Sequence, residues 1–270
     1  MFAADPKLIQ HFAPHLRSVL IVDPQPASAK VLADLARALG GKNLMIEPDE
    51  KTALSLARDF DPTLVFIEFA GPRLDGLAFT RKLRRSDMAC RRAPVIMVTA
   101  EATVQSIKGA RDVGVHEFLR KPFTAGDLLK RLEAVSLKPR DWIEAVGYVG
   151  PDRRRFNSAE YAGPRKRNAD KPKTPGEAQA QAMDQAVRIL RAAVNQFDQD
   201  PGQAIRALRQ QAVTLKQLAV EGSHVQLAVA AAQLDLALAS DRLTRADVEG
   251  PVGAVTGLFA ANAPQQARVA

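Results

Sequence analysis

The hydrophobic pattern of the first half of the chain switches period repeatedly. Short, almost wholly apolar runs rich in β-branched residues occupy residues 18–23 (SVLIVD), 43–47, 63–69 (TLVFIEF), 94–99 (PVIMVT) and 115–119. Between them apolar residues return at three- and four-residue steps, as with Val31, Leu32, Leu35 and Leu39 before the Gly40-Gly41 stop. The other helix-like stretches are residues 50–60, 75–85, 104–113 and 124–137. Five successive strand–helix units predict an α/β domain with a doubly wound, five-stranded parallel sheet. In such a sheet the functional groups gather at the carboxyl ends of the strands.

Past Trp142 this alternation stops. Residues 139–176 are rich in Gly, Pro, Arg and Lys and predict a basic linker. From Glu177 onward Ala, Gln and Leu dominate, with apolar stripes at Met183, Val187, Leu190 and Val194, at Leu208, Ala212, Leu215 and Ala219, and at Leu227, Ala231, Leu234 and Leu238. These predict three amphipathic helices, with a fourth between residues 244 and 261, and a small all-α bundle is the natural way to bury the stripes. The predicted organisation is an N-terminal segment 1–16, an α/β domain 17–138, a linker 139–176, a helical domain 177–262 and a tail 263–270.

Composition, 46% hydrophobic and 25% charged over 270 residues, suits two modest cores. The net charge of +8 is local: residues 150–173 hold 8 Lys/Arg against 3 Asp/Glu, whereas residues 174–270 hold 8 against 9. The basic character therefore belongs to the linker, and a dedicated nucleic-acid-binding face is not expected. A single cysteine, Cys90, excludes an intrachain disulfide and offers no metal-ligand spacing. No apolar run reaches the roughly 18 residues of a membrane span. Residues 1–17 also lack the basic-then-apolar order of an export signal, so a cytoplasmic protein away from membranes is expected.

Reading only the strand ends collects a small set of reactive groups. Asp23 ends the first strand, Glu68 lies at the end of the third, Thr99 ends the fourth and Lys121 follows the fifth: two carboxylates, a hydroxyl and an ammonium. The segments LIVD (20–23), DPTLVFIEFAGPRLDG (61–76), PVIMVTA (94–100) and GVHEFLRKPF (114–123), in this order and spacing, resemble the receiver domain of response regulators of the CheY-like kind. The resemblance implies a flavodoxin-like strand order and a non-enzymatic role in bacterial two-component signalling. It also implies partners such as a histidine kinase, a phosphotransfer protein or a motor component. Carried over position by position, the acid pair after the first strand becomes Asp23 followed by Pro24, and the phosphorylated aspartate becomes Glu68. Thr99 matches the switch hydroxyl, Lys121 the lysine that contacts the acyl phosphate, and Phe118 the aromatic switch position.

The departures touch the chemistry directly. An acyl phosphate forms when a carboxylate oxygen attacks in line while Mg²⁺, a hard ion that wants near-octahedral oxygen ligands, neutralises the developing charge. Pro24 removes a ligand, so Mg²⁺ binding is expected to be weak or absent and no other metal or cofactor is expected. Glu68 moves the nucleophile outward by about 1.5 Å, and displacements of order 1 Å can cost ~10²-fold. Three states stay open at this point: a locked, active-like receiver in which Glu68 reaches Lys121 and Thr99, an inert interaction module, and residual phosphorylation.

Two further features invite functional readings. A Tyr-x-Gly-Pro frame recurs at Tyr148 and Tyr161, followed by cation runs that include Arg153, Arg154, Arg155, Arg165 and Arg167. These resemble the arginine-rich segments of CheY-like regulators that bind cyclic di-GMP, in which guanidinium groups would grip guanine and phosphate and tyrosines would stack. A charged tether is the other reading. The run AVTLKQ (212–217) resembles the histidine phosphotransfer motif, with Val213 standing where the histidine would be and Gln217 where a glycine would be. Without an imidazole there, this reading becomes a disabled relay element, and a plain helical bundle is the alternative.

Overall fold

A computed structural model describes residues 6–153, 174–240 and 242–260. The chain divides into two compact units, residues 1–143 with 148–161 and residues 144–147 with 162–270. Among the described residues, no helix is long and apolar enough to cross a membrane.

The first unit opens with a short helix, α1 (Pro6–Phe12), and then alternates strand and helix: β1 (Ser18–Val22), α2 (Pro26–Ala38), β2 (Asn43–Glu47), α3 (Glu50–Phe60) and β3 (Leu64–Glu68). A two-residue hairpin, β4 (Ala70–Gly71) with β5 (Leu74–Asp75), leads into α4 (Gly76–Arg85). There follow a 3₁₀ turn at Ala89–Arg92, β6 (Val95–Thr99), α5 (Val104–Asp112), β7 (Glu117–Arg120) and α6 (Ala125–Ser136). The five long strands are all parallel, in the order β2-β1-β3-β6-β7, the flavodoxin-like order expected.

Alternation along each strand splits the core into two layers. Val19, Ile21, Phe66, Ile96 and Leu119 face α2 and α6, while Leu20, Val22, Ile67, Met97 and Phe118 face α3, α4 and α5. Because both faces are covered, the central strands read as continuous apolar runs, which is why their sequence signal is so plain. Local caps fix where the helices begin: Asp49 Oδ1 accepts from Lys51 N and Thr52 N, and Thr103 and Thr124 form capping boxes.

The expected linker begins too early. Residues 140–143 and 148–153 belong to the first unit, and β8 (Trp142–Glu144) pairs with β9 (Val149–Pro151). Tyr148 and Val149 are buried, and the backbone at Gly150 lies so close to Gly114 that a Cβ there would sit 2.6 Å from the Gly114 Cα. Gly114 itself has φ +92, and a Cβ on it would meet the Val149 carbonyl oxygen at 2.5 Å. The composition of this stretch looks like a linker because its anchoring depends on glycine backbones, one tyrosine and one tryptophan, not on an apolar stripe.

Arg84, only 1% exposed, organises this region. Its guanidinium donates to the carbonyls of Gly114 (3.0 Å), Arg91 (2.7 Å) and Ala93 (2.9 Å), pairs with His116 Nδ1 (3.1 Å), and lies 5.3 Å from the centre of the Trp142 ring. Burial lowers its pKa to about 9. Tyr148, pushed up to about 12 by burial, donates its hydroxyl to the Pro151 carbonyl. Arg140 donates to the His116 carbonyl and to that of Asp152.

His116 carries a pH dependence. Its Nδ1 accepts from Val95 N as well as from Arg84, so protonation there would break both contacts. Burial, then the nearby guanidinium groups of Arg84 and Arg140, hold the imidazole well below its ordinary 6.5. The unfolded chain therefore binds a proton near pH 6.5 that the native state refuses, and stability falls as pH drops below that value, by up to ~1.4 kcal/mol per unit. Denaturant titrations between pH 7 and 5 are expected to show this slope. They should show it flattened in His116→Asn, whose amide oxygen keeps an acceptor near the Nδ1 position without titrating. An equal slope in the variant would assign the acid loss to other groups.

The second unit contains α7 (Pro175–Asn195), α8 (Pro201–Glu221), α9 (Val225–Ala237) and α10 (Arg245–Ala260). Thr174 and Asp200, each followed by Pro at the first helical position, cap α7 and α8. Leu190, Leu208, Leu215, Leu234 and Val255 are fully buried in its core, and Val146 joins them. The fully buried Gln203 donates to Glu144 Oε1 at 2.8 Å.

Candidate functional site

The strand register aligns the four chemical groups at one edge of the sheet. Val22 pairs with Ile67, Glu68 with Val98, and Thr99 with Arg120, so Asp23, Glu68, Thr99 and Lys121 all emerge at the carboxyl end. Asp23, Glu68 and Thr99 are 2%, 8% and 4% exposed.

Lys121 dominates the geometry. Its Nζ donates to Glu68 Oε2 at 2.5 Å and to Asp23 Oδ2 at 3.0 Å, one ammonium bridging both carboxylates. The opposite oxygens are also taken: Glu68 Oε1 accepts from Phe69 N at 2.8 Å and Asp23 Oδ1 from Gln25 N at 2.8 Å. Charge-assisted bonds of this kind are the strong ones, and a surface ion pair worth little is the wrong description for groups this buried.

Thr99 stands apart from this bridge. Its carbonyl accepts from Lys121 N at 2.7 Å and its hydroxyl oxygen accepts from Glu101 N at 3.2 Å, but no hydrogen bond joins it to Glu68. Glu68 therefore reaches one of the two groups that a phosphate mimic would have to engage. Phe118 is 3% exposed, packed in the core layer beneath α4 and α5.

Pro24 has a definite neighbour. A Cβ placed on Gly71 would lie 2.5 Å from Pro24 Cγ, so the pyrrolidine ring rests directly on the β4–β5 hairpin beside Asp23. The start of α4 packs on the end of β3, since a Cβ on Gly76 would lie 2.3 Å from the Glu68 carbonyl oxygen. The donor set does not fit Mg²⁺. Asp23 and Glu68 are both engaged by an ammonium, and an apolar ring occupies the next position along the chain. Among the described residues, no group of three His, Cys, Asp or Glu side chains is placed to hold a metal.

The arginine cluster separates into two parts. Arg153 pairs with Asp112 at 3.2 Å and lies 4.5 Å from the centre of the Tyr148 ring. Tyr148 is thus no open stacking face, because its ring is buried and covered by Arg153. Arg154, Arg155, Tyr161, Arg165 and Arg167 lie outside the described residues. On α8, Val213 and Gln217 are exposed, and the imidazole of the same unit, His224, is at the start of α9. The Arg84, His116, Trp142 and Tyr148 network escaped sequence reading altogether. The signal available was a lone Trp after a charged stretch, which has no specific meaning until the fold brings Arg84 beneath it.

Comparison with known proteins places the similarity on the first unit. The family model described as response regulator receiver domain matches residues 19–133. The chain is 32% identical over 117 residues to chemotaxis protein CheY-3 of Vibrio cholerae, covering 43% of this chain and 89% of that one. It is likewise 32% identical to chemotaxis protein CheY of Pseudomonas aeruginosa, over 43% of this chain and 94% of the relative. Among solved structures, Vibrio cholerae CheY4 is 23% identical with a TM-score of 0.41, over 44% of this chain and 98% of that chain. The receiver domain of the Pseudomonas aeruginosa sensor histidine kinase PA1611, solved with magnesium in its active-site cleft, is 26% identical with a TM-score of 0.40, over 43% and 94%.

Proposed function

Since the chain belongs to the response regulator receiver family of two-component signalling, we propose that it is a pseudo-receiver: an adaptor that binds protein partners without passing through an aspartyl phosphate. The observation that carries this reading is the Lys121 bridge, in which the ammonium that would meet an incoming phosphate already spans Asp23 and Glu68. A phosphoryl group approaching Glu68 would have to displace a 2.5 Å charge-assisted contact without a metal to compensate. Of the three states open from sequence, the inert module has the best support, because Glu68 engages Lys121 and not Thr99. The partners would be of the histidine kinase, phosphotransfer or motor class, docking on a receiver surface fixed in one state.

Intact-protein mass spectrometry after incubation with acetyl phosphate and Mg²⁺ tests this. The expected result is no phosphoryl adduct, together with no heat of Mg²⁺ binding by calorimetry. A stoichiometric adduct at Glu68 would sink the proposal. The cyclic di-GMP alternative rests on Arg153, Arg154, Arg155, Arg165 and Arg167. Of these only Arg153 is described, and its ion pair and ring contact leave nothing that favours that reading over the adaptor.

A further inference from the structure

We propose that the outer face of the α8–α9 pair is a homodimer interface, closed by a two-fold axis perpendicular to the two helices. Five of the nine large apolar side chains exposed among the described residues lie on these two helices: Val213, Val220, Val225, Val229 and Leu236, the last 77% exposed. This inference concerns the helical unit and does not depend on the pseudo-receiver reading.

The helical wheel puts them together. At about 100° per residue, Val213 and Val220 sit roughly 120–140° from the buried Leu208, and Val225, Ala232 and Leu236 sit roughly 140–180° from the buried Leu227. The sides on which the two helices meet are marked by the Lys216–Asp235 ion pair at 2.9 Å and by Arg209, which donates to the Leu238 carbonyl. Arg209 and Lys216 on α8 and Asp235 on α9 lie roughly 80–100° from the buried stripes, between them and the exposed apolar positions, so both exposed stripes turn to the same outer side.

The spacing is self-complementary. Along α9 the exposed positions Val225, Val229, Ala232 and Leu236 follow steps of four, three and four, a palindrome. An antiparallel second copy therefore sets Val225 against Leu236 and Val229 against Ala232, the small residue receiving the larger one. The same axis sets Val213 of α8 against Val220 of the other copy. The midpoints of the two pairings, between residues 216 and 217 and between 230 and 231, are level in the bundle to within about one helical turn: Arg209 and Leu238, whose contact joins the helices, are equidistant from them, and the Lys216–Asp235 pair is offset by four residues. A single two-fold thus satisfies both helices, which is the requirement for a closed, isologous contact.

Charge and area agree with a second copy. The apolar stripes carry no charged residue, Lys216 and Asp235 between them neutralise each other at 2.9 Å, and residues 174–270 hold 8 Lys/Arg against 9 Asp/Glu, so no net charge opposes two copies. An acidic or basic partner would find no excess of complementary charge here. A face about 20 Å long and about 20 Å wide buries on the order of 1,000 Å² in total, at the lower bound of specific association. A weak, concentration-dependent dimer is the corresponding expectation.

Sedimentation velocity of the full chain from about 1 to about 100 µM is expected to show a concentration-dependent shift from monomer to dimer. Leu236→Asp and Val220→Asp, both at exposed sites, should keep the circular dichroism of the parent and remain monomeric throughout. Gln217→Cys, near the axis, should form an intermolecular disulfide under mild oxidation, whereas the buried Cys90 of the parent should not. A parent that is monomeric at every concentration would overturn the proposal, as it would if the chain's own first unit covered this face. A dimer unaffected by both aspartate variants would overturn it equally.

Discussion

Arg84→Met is expected to lower the stability of the first unit by about 3–5 kcal/mol, a large part of the 5–15 kcal/mol typical of a domain. Two effects oppose each other. Burying a guanidinium is costly, as its pKa of about 9 reflects, and methionine removes that cost. But the partners of Arg84 are the backbone carbonyls of Gly114, Arg91 and Ala93, which no side-chain substitution can take away. Swapping a buried polar set for apolar residues is neutral only when every member can be replaced. Here three acceptors lose their donor at once, and the loss outweighs the relief. Trp142 is the single tryptophan of the chain and lies over both Arg84 and Arg92, so its emission reports on this region directly. Urea titration followed by that emission should show an earlier transition in the variant, with Arg84→Lys recovering only part because an ammonium lacks the planar fork of donors. A shift under ~1 kcal/mol would mean that the carbonyls find water instead.

That network also marks the boundary of what sequence can convey. The five strands and the flanking helices of the receiver were legible because burial on both faces of a parallel sheet writes itself as unbroken apolar runs, and because four separated segments carried the family resemblance. The convergence of Asp23, Glu68, Thr99 and Lys121 followed from topology alone, since strand ends in a doubly wound sheet share one edge. What sequence could not supply was the choice that Glu68 makes between two neighbours, which depends on side-chain conformation and emerges as a contact to Lys121 with no hydrogen bond to Thr99. Residues 140–143 and 148–153 were obscured for a different reason. Their attachment relies on close backbone approach at Gly114 and Gly150, and glycine, arginine and proline in that density are the same composition that signals a tether. The exposed stripe on α9 was hidden by its own regularity, because Val225, Val229 and Leu236 join buried Leu227 and Leu234 in a helix that is apolar all round, where periodicity no longer points to one face.

Restoring the two altered acids should return the phosphorylation chemistry, and it should need both. In Pro24→Asp the ring that rests on Gly71 is replaced by a carboxylate beside Asp23, giving a hard cation two adjacent oxygen donors, yet Glu68 still holds Lys121 and the acceptor remains about 1.5 Å too far out. In Glu68→Asp the shorter side chain retracts from Lys121, but with Pro24 in place the metal still lacks the second acid beside Asp23 and the charge on the transferring phosphoryl is poorly compensated. Each single variant is therefore expected to stay unphosphorylated by acetyl phosphate. The double variant should gain Mg²⁺ binding and raise the rate of adduct formation by at least ~10²-fold over the parent. Metal binding has its own signature, because a cation that binds only the native state raises the melting temperature with its concentration. That rise should appear in Pro24→Asp and in the double variant and be absent from the parent and from Glu68→Asp. If the double variant binds Mg²⁺ but takes no phosphate, a further alteration at the site blocks the acceptor. If it binds neither, Pro24 and Glu68 are not where the chemistry was lost, and the pseudo-receiver assignment would need a different structural cause.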